Sequence, residues 1–289
     1  MPKISFIIPC YNSLKTLPRL LDSLLNQEEK DLEFLIGLEP EQDETLEYLR
    51  KRSLLDPRIK IHQNKTRLGP LDTRIALVKK AKGQYIAFAD ADDYLDKRYV
   101  SRILQEFKKD VDVVTCSYYV EKDGKKHIDP FAPKINRLVS GKKAMSMLLM
   151  DASMRGFLWN KVFKRELFDG NLLLLKGRGS FEDTPLVYSL FSRANKVAII
   201  KDRLYIYVKG VPSSLTSLAD KGRAARHIES FNLIKSEAKK LGVSYQKDFR
   251  RHYLRTKMSL SYDIFLSKKA GLSKEEIKEL RKKAKELKR

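Results

Sequence analysis

The sequence predicts an α/β fold, with a mostly parallel sheet flanked by helices and a helical extension at the C-terminal end. Three observations carry this reading. Short apolar runs alternate with segments of helical period through about residue 95. The alternation loosens between 96 and 218, and beyond 219 only helical periodicity remains. The first run, Ile4 to Pro9, is apolar at nearly every position, as a strand covered on both faces requires. Strands alternating with helices build βαβ units around a parallel sheet.

Taken in order, Ile4 to Pro9 is the first strand. Tyr11-Asn12-Ser13 is a turn with Ser13 as N-cap, and Leu14, Leu17, Leu20, Leu21, Leu24 and Leu25 then recur at helical spacing. Leu32–Leu38 reads as a strand, Asp43–Arg52 as a helix, Arg58–His62 as a strand, Leu71–Lys82 as a helix and Gln84–Ala89 as the fourth strand. A helix over Lys97–Lys109 and a strand over Val111–Val120 follow, and Lys122-Asp123-Gly124-Lys125 is a hairpin turn. Ser140 caps a helix running to Met150. Trp159–Phe163 is a short strand, Glu182–Ser192 a helix, and Val197–Ile200 and Leu204–Val208 are two strands. The extension holds helices over 220–241, 246–266 and 273–288, the last opened by a capping box of Ser273 and Glu276. The expected organisation is one domain over 1–218, divided at 95/96, and a basic helical region over 219–289.

Composition narrows the class. With 42% hydrophobic and 33% charged residues in 289, the chain is globular rather than disordered. No apolar run approaches the roughly 18 residues a membrane span needs, and the N-terminus enters a strand without the apolar stretch of a signal peptide. Cys10 and Cys116 lie in or beside apolar strands, so buried thiols in a reducing cytoplasm are expected. A net charge of +22 implies an anionic partner: a nucleotide, an anionic membrane surface or nucleic acid. The segment from Asp220 to the end carries an excess of 12 cations. There Ile277, Leu280, Ala284 and Leu287 form a narrow apolar stripe among lysines and arginines. It reads either as the packing face of a solvated helix or as an interfacial helix on anionic lipid.

The chemistry concentrates at Tyr85–Asp93, a strand that ends in Asp90, Asp92 and Asp93. Burying so many acids is costly unless positive charge meets them. They therefore belong past the strand's carboxyl end, at the crevice where open α/β sheets bind ligands. Oxygen donors two residues apart suit Mg²⁺ or Mn²⁺. The plainer reading is a solvated acidic turn in which Asp93 or Asp96 caps the next helix. Glu182-Asp183 is a second acidic pair, read as a catalytic pair or as acids placed at a helix N-terminus, where the helix dipole would lower the Asp183 pKa. Before it, Lys176-Gly177-Arg178-Gly179-Ser180 offers cations on a glycine-bearing loop. Trp159-Asn160-Lys161 contains the lone Trp, either a core residue or an aromatic platform for a ligand. His62, His127, His227 and His252 show no metal-ligand spacing, and there is neither a Walker loop nor a G-x-G-x-x-G sequence.

Taken as an ordered set, several motifs are similar to those of the family 2 glycosyltransferases of the GT-A fold. They are Ile7-Ile8-Pro9-Cys10-Tyr11-Asn12, Leu24-Leu25-Asn26-Gln27, Ala81-Lys82-Gly83-Gln84-Tyr85-Ile86-Ala87-Phe88, Asp90-Ala91-Asp92-Asp93 and Glu182-Asp183, and they span roughly 2–210. The resemblance implies a GT-A, Rossmann-like domain, with a nucleotide-sugar-binding half over 1–95 and an acceptor half over 96–218. It implies a nucleotide-sugar donor, a divalent cation and inverting transfer to an acceptor hydroxyl. It makes Asp92 and Asp90 the metal ligands, and Pro9, Tyr11 and Arg74 donor-binding residues together with those acids. It makes Asp183 the catalytic base, beside Glu182. Where the family's second strand ends in acids that read the nucleotide base, this chain has Gly37-Leu38-Glu39-Pro40. Glu39 is the remaining candidate for that role, with a uracil nucleotide expected.

The expected acceptor is a membrane-associated glycan, a glycolipid or a cell-surface polymer. Trp159, Asn160 and Lys161 are candidate acceptor contacts. The basic helices would hold the protein to the inner face of the cell membrane, and no specific nucleic-acid partner is expected. Two other readings stand beside this one: a catalytically impaired glycosyltransferase-like binding protein, and a metal-dependent nucleotidyltransferase.

Overall fold

A computed structural model describes residues 2–40, 43–150, 154–176, 179–211, 220–241 and 246–287. The first half runs β1 (Ile4–Cys10), α1 (Leu17–Leu25), β2 (Leu32–Leu38), α2 (Thr45–Leu55), β3 (Ile59–Gln63), α3 (Pro70–Val78) and β4 (Tyr85–Phe88). These four strands pair in parallel in the order β3-β2-β1-β4, with Ile8 opposite Ile36 and Ile7 opposite Phe88. The parallel register brings the carboxyl ends of β1, β2 and β4 to one edge. Side chains alternate across this sheet as the pleat demands. Phe6 and Ile8 join the core under α1 and α2, while Ile7 and Phe88 join the core under α3 on the other face.

The second half continues with β5 (Tyr94–Leu95), α4 (Tyr99–Phe107), β6 (Val113–Lys122), β7 (Lys125–Ile128), β8 (Arg137–Ser140), α5 (Gly141–Met150), β9 (Lys161–Lys164), α6 (Asp183–Arg193) and β10 (Lys196–Val208). Here the sheet is mixed. β9 is inserted antiparallel between β4 and β6, β10 is parallel to β6, and β5 and β8 are antiparallel to β10. The hairpin turn at Asp123-Gly124 joins β6 to β7 with both residues at positive φ, 51° and 72°. Cys10 and Cys116 are free and buried.

Three local expectations differ from the structure. Helix α1 starts at Leu17, with Pro18 in its first turn. Ser13 does not cap it, because its hydroxyl is spent on the Tyr11 peptide, 3.1 Å from the carbonyl oxygen. The two expected strands at 197–208 are one strand, β10, whose register against β6 shifts between Ile199 and Tyr205. Of the two acids proposed to cap the helix after the acidic run, Asp96 turns its carboxylate to the Arg98 N–H at 2.9 Å, while Asp93 points elsewhere. Ser140 does hold the start of α5, accepting the Lys143 N–H at 3.2 Å.

The extension is α7 (Arg223–Lys240), α8 (Gln246–Lys269) and α9 (Lys274–Glu286), with the capping box of Ser273 and Glu276 formed as expected. Ile277, Leu280 and Leu287 of the α9 stripe are buried in a third core with Ala224, Ile228 and Phe231 of α7 and Leu260 and Ile264 of α8. This corrects the interfacial-helix reading: the stripe packs within the protein, so α9 has no apolar face left to offer lipid. Lys288 and Arg289 lie outside the described residues. Among the described residues no helix is long and apolar enough to cross a membrane.

Candidate active site

Asp90 follows the last residues of β4, where the Ala89 N–H still pairs with the Ile7 carbonyl at 3.2 Å. The acid therefore sits beside Pro9, at the carboxyl edge. The chain then turns, with the Asp93 N–H on the Asp90 carbonyl at 3.1 Å. The three acids have three different surroundings. Asp90 is partly exposed and forms a 2.5 Å ion pair with Arg74. Asp92 is also partly exposed, and its carbonyl accepts from Arg19 of α1 at 3.0 Å. Asp93 is fully buried, takes the Tyr205 hydroxyl and the Val208 N–H of β10, each at 2.8 Å, and fastens the acidic turn to that strand. Burial, with Asp92 and Asp90 nearby, raises its pKa well above the usual carboxylate range.

Arg74 is the hub of the site. It projects from α3, is 6% exposed, and its guanidinium reaches Asp90, Glu182 at 3.3 Å and Asp183 at 3.4 Å. The acid after β4 and the acidic pair at the start of α6 thus share one cation. Its Nε and the Glu182 Oε2 are buried without a hydrogen-bond partner among the described residues. Buried polar groups are otherwise nearly always paired, so this hub carries polar capacity that the described residues leave unmet.

Glu182 is buried, and that burial pushes its pKa up to about 8 against the opposing pull of Arg74. Asp183 is partly exposed and accepts the Leu158 N–H at 3.4 Å. Its pKa is raised, chiefly by desolvation. This reverses the expectation that the helix dipole would lower it: at the first turn of α6, loss of water outweighs the dipole. The loop that carries Leu158 comes this close because Gly156 has no side chain; a Cβ there would lie 2.2 Å from Thr184 Oγ1.

Pro9 and Tyr11 are partly exposed at the same edge, and the Arg67 guanidinium lies 3.9 Å over the Tyr11 ring. Glu39 is brought to the edge but is committed to the chain. Its carboxylate accepts from the Leu68 N–H at 2.8 Å, the Gly69 N–H at 3.0 Å, the Thr73 hydroxyl at 2.6 Å and the Asn64 amide at 3.1 Å. It organises the approach to α3, and hence Arg74, which leaves little of it for a nucleotide base. Glu41 and Gln42 lie outside the described residues.

The three candidate acceptor contacts are interior residues. Trp159 is 4% exposed, stacked against Phe157, Tyr205 and Tyr207, with Tyr118 at its edge. Asn160 donates to the Cys116 carbonyl at 3.0 Å, and the fully buried Lys161 ammonium donates to the Arg155 and Phe157 carbonyls at 2.6 and 2.7 Å. All three shape the 154–161 loop from behind, and an acceptor cannot reach them directly.

One cluster escaped the sequence reading. Phe181, just before the acidic pair, has φ 71°. Its ring stacks on His227 of α7 at 4.0 Å, and the Arg223 guanidinium lies 5.1 Å from its centre. Arg223 also donates to the Ser180 hydroxyl at 3.1 Å, and both Arg223 and His227 are held by the buried Asp263 of α8, at 2.6 and 2.7 Å. The signal was available in part: His227 with no metal-ligand companion required some other partner. Gly177 and Arg178 of the same loop lie outside the described residues.

As oxygen donors at a partly exposed edge, Asp90 and Asp92 fit a hard divalent cation that shares its coordination with a ligand's phosphates. Among the described residues no cluster of three His, Cys, Asp or Glu side chains is set to hold a metal by itself. Such shared coordination does not call for one.

An α/β sheet, parallel in its first half and mixed beyond, that gathers acids and a buried arginine at one edge is the architecture of a GT-A glycosyltransferase. Residues 5–169 match the sequence profile of glycosyl transferase family 2, and the chain belongs to that family. It is 31% identical over 235 residues to the uncharacterized glycosyltransferase EpsJ of Bacillus subtilis, a match taking in 79% of this chain and 67% of the relative. Residues 1–349 of S. aureus TarS, solved in complex with UDP, superpose with a TM-score of 0.67 at 21% identity over 87% of this chain and 68% of that one. The mannosyltransferase PcManGT of Pyrobaculum calidifontis, solved with GDP-Man and Mn²⁺, gives 0.58 at 15% identity over 94% of this chain and 76% of that one. At these identities the two structures speak to the fold.

Proposed function

We propose that the chain transfers a sugar, with inversion, from a nucleoside diphosphate sugar to a hydroxyl of a membrane-associated glycan, glycolipid or cell-surface polymer. The observation that carries this reading is the Arg74 hub, which joins Asp90 at the end of β4 to Asp183 at the start of α6. One acid faces the donor side and the other is free to face the acceptor. Pro9, Tyr11 and Arg67 would lie along the nucleoside, and the nucleotide is taken as UDP on the family resemblance, since neighbours of the same fold are solved with UDP and with GDP-Man alike.

Asp92, with Asp90, would hold Mn²⁺ or Mg²⁺, and a divalent cation bound there supplies neutralisation of the leaving diphosphate. The remaining steps belong to the chain. Arg74 fixes Asp90 and Asp183 relative to each other. Asp183 takes the proton from the acceptor hydroxyl as it attacks the anomeric carbon, and its raised pKa makes it a better base than an ordinary aspartate. Glu182, protonated near neutrality, adds no second negative charge and orients the loop. The 154–161 loop presents the Leu158 N–H that keeps Asp183 in place.

The test is to incubate the protein with a panel of nucleotide sugars and Mn²⁺ and to measure release of free nucleoside diphosphate. Release that depends on the cation, and that Asp92→Asn abolishes, is the expected result. No release from any donor, with nucleotide binding intact, would favour the binding-protein reading. Release of pyrophosphate from nucleoside triphosphates would favour a nucleotidyltransferase.

A further inference from the structure

Helix α8 has two faces of opposite character. Inward, Thr256, Leu260, Asp263, Ile264 and Ser267 are buried. Outward, Leu254, Met258, Tyr262 and Phe265 are 48%, 78%, 61% and 49% exposed among the described residues. Their spacing of four, four and three puts them on one stripe about three turns long. Scattered exposed apolar side chains are ordinary, but a contiguous row of four large ones on one helix is not.

The charge around the stripe is one-sided. Arg250, Lys257 and Lys268 run along one flank, and Arg251 and Lys269 stand at the two ends of the stripe, all exposed. From Arg250 to Lys269 the sole acid is Asp263, and it is turned inward to Arg223 and His227. We infer that this face of α8 is the surface by which the protein lies on an anionic lipid membrane. The apolar row would enter the headgroup boundary and the flanking cations would meet lipid phosphates. A second copy of the chain is disfavoured, because an isologous contact along the stripe would set the cations at its ends against those of the copy and, when antiparallel, the flanking row against itself. This places the membrane contact on α8 rather than on α9, whose stripe is consumed by packing. The inference does not depend on the transferase reading, and it has a test of its own.

The chain is co-sedimented with vesicles of phosphatidylcholine mixed with phosphatidylglycerol, and with phosphatidylcholine alone. Binding to the anionic vesicles only is expected, weakening steeply as salt shortens the Debye length. Met258→Ser combined with Phe265→Ser should weaken it by about tenfold or more, given the apolar surface withdrawn. Lys257→Gln combined with Lys268→Gln should also weaken it, with the circular dichroism of both variants unchanged. Phe265→Trp should retain binding and show a blue-shifted emission on addition of anionic vesicles, reporting entry of that side chain. Four outcomes would overturn the assignment. They are equal sedimentation with neutral vesicles, no sedimentation with either, wild-type binding in the double serine variant, and a lipid-free dimer that the same serines dissolve. The last would give the face to a second copy. None of the four bears on nucleoside diphosphate release, so the two proposals fail separately.

Discussion

Arg74 and Asp90, sixteen residues apart, close a 2.5 Å ion pair at the edge of the sheet, and the same guanidinium holds the acidic pair that opens α6. Removing the cation leaves the buried Glu182 and the partly exposed Asp90 and Asp183 facing one another. Arg74→Met should cost about 3–5 kcal/mol, the usual penalty for breaking a buried pair from one side. Adding Asp90→Asn should recover part of the loss. Urea unfolding of the two single variants and the double variant reads the coupling directly, and additive effects would show that the pair does not hold the site together.

For Asp183→Asn, transfer should fall by roughly 10²–10⁴-fold, the range of positioned general-base catalysis, with donor affinity nearly unchanged. Single-turnover transfer at saturating donor measures this. A wild-type rate would mean that the base lies elsewhere.

Glu182 gives the site a pH signature. Its folded pKa is raised to about 8 from an ordinary value near 4.5, so the folded state keeps a proton that the unfolded chain gives up. Stability from this group is therefore present in acid and lost as pH climbs from about 4.5 to about 8, by up to a few kcal/mol. Glu182→Gln mimics the protonated form. It should match the wild type near pH 5 and exceed its melting temperature near pH 9. A variant less stable than wild type at both values would mean that Glu182 is ionised against Arg74.

Glu39 is expected to act on stability rather than on nucleotide choice. Glu39→Gln sets an amide donor among four donors and should cost about 1–3 kcal/mol. The order of stabilisation by UDP, GDP and CDP in thermal shift should stay as in wild type, and a reordering would return Glu39 to the base-reading role.

His227 should act through Phe181. His227→Ala removes the stacked partner of a residue held at positive φ and should lower kcat by about 10- to 100-fold with donor affinity intact. His227→Phe, which keeps a ring against Phe181, should restore much of the rate. Loss of donor affinity in step with kcat would instead indicate a general collapse of the loop.

Strand β2 was legible to the residue because Leu32 to Leu38 is a run bounded by charged and Pro residues, a purely local signal. So was the capping box at Ser273, whose partners lie three residues apart. The start of α1 was misjudged because the leucine period runs on through Leu14, while the Tyr11–Ser13 turn takes up the expected cap. At Trp159-Asn160-Lys161, residue type alone could not say whether a Trp and a Lys face a ligand or the interior, and the aromatic stack that buries them comes from β6 and β10. Asp90, Asp92 and the Glu182-Asp183 pair were visible as motifs. That one arginine would tie Asp90 to a pair more than ninety residues away was not, because such contacts are settled by how the sheet places α3 and α6 relative to one edge. The pKa order followed the same logic: the helix dipole is local and readable, whereas desolvation depends on everything that covers the site.

The grip of Arg223, His227 and Asp263 on Ser180 and Phe181 has a consequence for building hybrids of this family. The family profile ends at residue 169, ahead of both the acidic pair and the helices that steady it. Exchanging helices between relatives at the boundary expected from sequence near residue 218 would separate a loop from the side chains matched to it, even with every motif acid retained. A graft carrying the segment from Gly179 to Asp183 together with its helices moves lock and key as one piece, and the workable crossover lies upstream of the loop.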